Sequence, residues 1–204
     1  LGPRGAIIAA MIWLTNIGII EKGRLIEIEA LYVSLCGLAI IVWLSFFVEK
    51  KSPWLMWIPP CVFLGLGLLA KGPTHLLFFY GIVIAVLAYY KDWRLLVHPA
   101  HLVALVIMIG IAAAWAIPFV YATTSDIVIN KWSGQYTGRL SGMDFKFSDW
   151  IQNVPRALIY FLPWVLLFPF ARFSKLREQN EQRLACALLW GIAVPFVAVN
   201  VVPG

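Results

Sequence analysis

A lysine set between two long apolar runs is the group in this chain best placed to do chemistry. Lys71 stands in Leu69-Ala70-Lys71-Gly72-Pro73, and an ammonium there must reach a membrane surface or a polar cavity, because hydrocarbon does not solvate it. A compact ammonium at a headgroup boundary suits either a snorkelling lysine or a clamp for phosphate. Glu27 and Glu29 open an apolar run two residues apart, so on a helix they point to nearly opposite sides and only one can face a shared cavity. Such a carboxylate serves as base, metal ligand or orienting group, or simply as an interfacial charge near a helix N-terminus. Arg24, three residues before Glu27, is positioned to pair with it.

The second group of candidates lies in one extended polar stretch. Arg139 sits in Gly138-Arg139-Leu140-Ser141-Gly142, where a guanidinium can grip a phosphate bidentately or contact a headgroup. Trp132 and Tyr136 precede it, suited to stacking on a sugar or a lipid chain and equally to anchoring at the interface. Asp126, Asp144 and Asp149 read as caps and turn residues, and His75 as an interfacial histidine. Cys36, Cys61 and Cys186 each lie within an apolar run, with no disulfide framework and no metal spacing.

The elements that must position these groups are membrane spans. The chain has 204 residues, is 62% hydrophobic and only 13% charged, which excludes a water-soluble domain. Apolar runs of roughly 15 to 25 residues, long enough to cross ~30 Å of hydrocarbon as helices, extend over Gly5 to Ile20, Ile28 to Val48, Trp54 to Ala70, Leu76 to Tyr90, Leu95 to Tyr121, Pro155 to Ala171 and Leu184 to Val202. The expected fold is therefore an all-α, polytopic transmembrane helical bundle of about seven spans, with one long extracytoplasmic segment at 122–154. Gly72 and Pro73 are expected to end the span before them. The start at Leu1 and the stop at Pro203-Gly204, just after an apolar run, are those expected of a piece of a longer protein.

The formal charge of +6 comes mostly from basic residues in short connectors, a pattern of positive-inside bias and not of nucleic-acid binding. With Arg4 cytoplasmic, alternation places Lys50, Lys51, Lys91, Arg94, Arg172, Lys175, Arg177 and Arg183 on the same side. Glu21 to Glu29, the Lys71 turn and 122–154 then emerge on the opposite, extracytoplasmic face. All the candidate groups above share that face.

Taken together these residues resemble the bacterial membrane glycosyltransferases of the GT-C superfamily, in particular the aminoarabinose-transferase and protein-mannosyltransferase-like group. The resemblance rests on Arg24 followed by Glu29 at the opening of a span, on Leu69-Ala-Lys-Gly-Pro73, and on Trp115-Ala-Ile-Pro118-Phe-Val-Tyr121. It continues through Tyr136 and Arg139 to Phe161-Leu-Pro-Trp164. It departs from the group where Glu29 stands for the usual aspartate and Phe119-Val120 for the usual Trp-Tyr after proline.

The resemblance implies a bacterial inner-membrane enzyme that moves a sugar from a polyprenyl-phosphate donor to a lipid, glycan or protein acceptor, as in lipid A or cell-envelope glycan modification. In that reading Lys71 and Arg139 bind the donor phosphate, with or without help from a divalent metal. Glu29, with Glu27 second, supports catalysis, and Arg24, Trp132 and Tyr136 contact substrate. The main catalytic acid of the group is expected upstream of Leu1, so that the piece alone is expected to be inactive. The reading from another class is a polytopic transporter or flippase of a lipid-linked or small solute, which calls for ionisable or broken-helix residues near mid-bilayer.

Overall fold

The computed structural model describes residues 2–25, 27–123, 147, 151–170 and 179–201. Among the described residues every regular element is helical, and four helices are long and apolar enough to cross a membrane. These are α3 (Ile28–Val48), α4 (Pro53–Ala70), α6 (Pro99–Ala122) and α8 (Gln179–Val201), to which the bent pair α1 (Gly2–Leu14) and α2 (Ile17–Arg24) adds a fifth if taken as one span. A shorter apolar helix, α5 (Thr74–Tyr90), follows the Lys71 corner, and α7 (Asn153–Tyr160) lies near α2.

The core forms where helical spacing stacks apolar side chains on one face. Trp57, Cys61 and Leu64 on α4, Phe79, Val83 and Val86 on α5, and Ala100, Ala104 and Met108 on α6 recur at three- and four-residue intervals and are all buried. Trp43 of α3 lies beside Trp57. Between α5 and α8 the backbones come close: a Cβ on Gly81 would stand 2.4 Å from Pro195 Cγ, and one on Gly191 2.6 Å from Ile82 Cα. The outward faces are apolar too, with Ile41 62%, Val106 69% and Val194 59% exposed. An apolar belt of this extent is built to meet lipid.

Two apolar runs differ from single straight helices. The first breaks at Thr15-Asn16, and α1 and α2 meet at 54°. Asn16 is extended and its side chain accepts the Gly18 amide at 3.0 Å, which starts a new helix where hydropathy alone sees a continuous run. The run from Pro155 to Ala171 divides into α7, a turn with a cis Leu162–Pro163 bond, and a 3-10 segment, Trp164–Phe170. Pro163 cannot donate to a helical carbonyl, so α7 does not continue through it. The turn instead docks on the first break: Leu162 O accepts the Ile17 amide at 3.0 Å, and Trp164 Nε1 donates to Thr15 Oγ1 at 2.9 Å.

At the far end from Lys71, α3 and α5 both stop on a lysine in the left-handed region, Lys50 (φ 51°) and Lys91 (φ 59°). The amides then fold back in the same pattern, Lys50 to Phe47 O and Lys51 to Phe46 O, Lys91 to Ala88 O and Asp92 to Leu87 O. This is the turn that glycine ordinarily makes at a helix end. Pro99 opens α6 as its first residue, capped by His98, whose Nδ1 accepts the Ala100 amide at 3.1 Å. Near it, His101 is pinned on both nitrogens, with Nδ1–H donating to Leu96 O at 2.7 Å and Nε2 accepting from Tyr80 Oη–H at 2.9 Å.

Candidate functional site

The Gly-Pro corner forms as the residues dictate. α4 ends at Ala70, Lys71 caps it, Gly72 takes a φ of 106°, and α5 begins at Thr74. That φ lies where only glycine is comfortable, so the reversal of direction needs Gly72 itself. The corner is then fastened to α3. Glu29, Tyr32 and Cys36 lie three and four residues apart, on one face of that helix, and each reaches the corner. The Glu29 carboxylate pairs with Lys71 Nζ, Tyr32 Oη donates to Gly72 O at 3.2 Å, and Cys36 Sγ lies 3.7 Å from His75 O.

His75 corrects its expected place at the interface. Only 1% of it is exposed, because it folds back under the corner against α4. Its Nε2 lies 2.9 Å from Leu64 O, and its Nδ1 lies 2.9 Å from Gly72 O and 3.1 Å from Tyr32 Oη. Room for the ring comes from Gly67, where a Cβ would stand 2.7 Å from Nε2. Proline 73 precedes α5 without a side-chain cap, and the orphan amide of His75 in the first turn is taken across the helix pair by Tyr32 Oη at 2.6 Å. Tyr32 thus caps α5 from α3.

The two glutamates diverge as their spacing requires. Glu29 faces Lys71, whereas Glu27, still extended ahead of α3, turns back to α2. Its partner there is Lys22 at 2.7 Å and not Arg24. The reason is local: the Glu27 amide closes a turn on Lys22 O at 3.0 Å, which sets the carboxylate over Lys22 while Arg24 is exposed. Lys22 Nζ also lies 5.9 Å from the centre of the Tyr160 ring. Glu29, in the first turn of α3, is further favoured by the positive end of that helix.

Beside these pairs runs a cavity of about 260 Å³, lined chiefly by apolar side chains including Trp13, Val33, Tyr160 and Phe161, with Lys22 and Glu29 as its charged walls. Its shape follows from the two departures noted above, since the break at Asn16 and the turn after Tyr160 both contribute lining residues. The arrangement offers an apolar slot for a chain beside exchangeable ion pairs for an anionic head. Lys71 and Glu29 are 44% and 33% exposed as side chains, so a water-borne or headgroup oxygen can reach either.

Of the residues singled out from the sequence, Glu29 and Lys71 are brought into direct contact, and Glu27 lies on the same end of the bundle. Arg139, Trp132 and Tyr136 lie outside the described residues. Among the described residues no group of three or more His, Cys, Asp or Glu side chains is arranged to hold a metal ion. Sequence reasoning missed Tyr32, whose signal was its place one turn after Glu29 on the same helical face. It also missed Lys22, the nearest basic residue that the turn into α3 folds over Glu27. No family model matches the chain, and none of the characterised proteins or solved structures compared with it does.

Proposed function

We propose that this chain is part of a membrane glycosyltransferase that moves a sugar from a polyprenyl-phosphate donor to a lipid, glycan or protein acceptor at the extracytoplasmic face of a bacterial inner membrane. The observation that carries the reading is the Lys71–Glu29 pair at a glycine-proline corner, beside an apolar slot that Glu29 itself lines. A GT-C-like bundle of about seven spans is the architecture that goes with it.

A sugar on a lipid phosphate cannot leave the bilayer, so its transferase works where headgroups meet water. Glu29 pairs with Lys71, holding the ammonium as a phosphate would hold it. When the donor phosphate arrives it displaces the carboxylate. The bond between the sugar's anomeric carbon and the phosphate oxygen then breaks, its electron pair stays on the phosphate, and Lys71, with Arg139, stabilises that charge. The acceptor hydroxyl oxygen bonds to the anomeric carbon and gives up its proton to a carboxylate, and Glu29, freed from Lys71, orients the acceptor or the cation. The slot beside Trp13 and Tyr160 takes the first isoprene units of the donor.

The test is release of labelled sugar from a polyprenyl-phosphate donor by the full-length protein purified in detergent. Lys71→Ala and Arg139→Ala are each expected to abolish release while leaving membrane insertion intact, and normal turnover in both refutes the assignment. The 54° break between α1 and α2 favours a second reading, since transporters use broken helices. In sealed vesicles, movement of the lipid-linked sugar across the bilayer without any release of sugar identifies that reading.

A further inference from the structure

A second cavity, of about 440 Å³, lies at the opposite end of the bundle, where Phe47, Val48 and Met56 meet Lys50, Lys51 and Asp92. The 21 residues of α3 put about 31 Å between this cavity and the Lys71 corner. It is therefore a different site from the one at Glu29.

Three observations bear on what it takes. The segments Glu49 to Lys51 and Lys91 to Arg94 carry four basic side chains against two acidic ones, so this end has net positive charge. Lys50 lines the cavity in the left-handed conformation and Lys91 adopts the same conformation at the adjoining helix end, where glycine would sit without strain. A charged side chain kept in a conformation that disfavours it, at two neighbouring helix ends, points to use of the charge. Finally, Trp54 and Trp93 are 46% and 48% exposed at this end, which is where amphipathic rings meet a headgroup layer.

We propose that this cavity binds the headgroup of an anionic phospholipid, with Lys50 and Lys51 on the phosphate and the acyl chains descending past Val48, which is 57% exposed. Phe47, Met56 and Leu95 give the cavity an apolar wall that a lipid fills and a soluble anion does not. Lys51 is held by Glu49 at only 3.6 Å with both side chains about half exposed, so the phosphate displaces a weak partner.

The experiment is a lipid titration of the protein purified in detergent, read by native mass spectrometry and by thermal unfolding. Phosphatidylglycerol is expected to bind and to raise the unfolding temperature, whereas phosphatidylcholine and inorganic phosphate do neither. Lys50→Gly is the informative variant, because glycine suits that turn better than lysine and folding is preserved. Together with Lys51→Gln it is expected to weaken phosphatidylglycerol binding about tenfold, since two charge-assisted contacts to one phosphate are lost. Arg94→Gln removes a single charge from outside the cavity lining, against two in the double variant, and is expected to leave binding within about twofold, as a screened charge at a distance does.

Equal binding of phosphatidylglycerol and phosphatidylcholine overturns the proposal. So does an equal loss per charge removed in the Lys50/Lys51 and Arg94 variants, which leaves only diffuse positive charge. Protection by inorganic phosphate alone overturns the lipid as occupant.

Discussion

Replacing Tyr32 by phenylalanine removes one oxygen and keeps the ring, and the structure says what that oxygen holds. It accepts the His75 amide at 2.6 Å, donates toward Gly72 O at 3.2 Å, and lies 3.1 Å from His75 Nδ1. The His75 amide is a first-turn donor with no partner inside its own helix, and His75 is buried. Leaving such a group unsatisfied costs about 1–3 kcal/mol, against about 1 kcal/mol for a hydrogen bond whose groups can return to water. Tyr32→Phe is therefore expected to destabilise the protein by about 2 kcal/mol, with the loss concentrated at the corner. Amide hydrogen exchange of the full chain in micelles reads this directly. Exchange at His75 and Leu76 should quicken about thirtyfold, the factor that ~2 kcal/mol represents, while amides in the middle of α3 and α6 keep their rates. Unchanged exchange at His75, or uniform acceleration over every helix, refutes the claim that α5 is capped from α3.

Four further outcomes follow from the same geometry. Under the proposed function, Glu29→Gln in the full-length protein should lower transfer more than Glu27→Gln, because Glu29 faces Lys71 and Glu27 faces Lys22; equal effects in a sugar-release assay remove the preference. Tyr80→Phe leaves His101 Nε2 as a buried acceptor without its donor and should cost about 1–3 kcal/mol in chemical denaturation, with a neutral result contradicting the Nδ1–H tautomer. Gly191→Leu drives a side chain into the Ile82 backbone and should separate α5 from α8, seen as loss of a cysteine crosslink engineered between the two helices. Gly67→Ala meets the His75 ring at 2.7 Å and should unseat it, so that the corner exchanges as fast as in Tyr32→Phe.

Much of the fold was legible because its determinants are local. The Lys71-Gly72-Pro73 corner follows from a residue that favours positive φ beside one that cannot donate, and α3, α4, α6 and α8 follow from unbroken apolar length. The division of the run from Pro155 to Ala171 was not legible, because hydropathy averages over Pro163 and registers only that the stretch is apolar. The pairing of Glu29 with Lys71 was half visible, as two charges on one face. Its partner residues Tyr32 and His75 were not, since which face of α3 meets which turn of α5 depends on the crossing of two helices. The choice of Lys22 over Arg24 for Glu27 turned on a single backbone turn that residue types do not specify.

The lengths of the helices flanking the corner bear on how deep it lies. α4 has 18 residues and α5 has 17, which makes them about 27 and 25 Å long against a hydrocarbon thickness of ~30 Å. Together they carry most of the buried core, and α5 is walled by α3 and α8, so neither has to match the bilayer by itself. The mismatch is borne by the longer neighbours, and the hairpin is free to stop short. A bend at the end of so short a hairpin can sit recessed from the water boundary, and a lysine there extends its stem upward to reach its carboxylate partner.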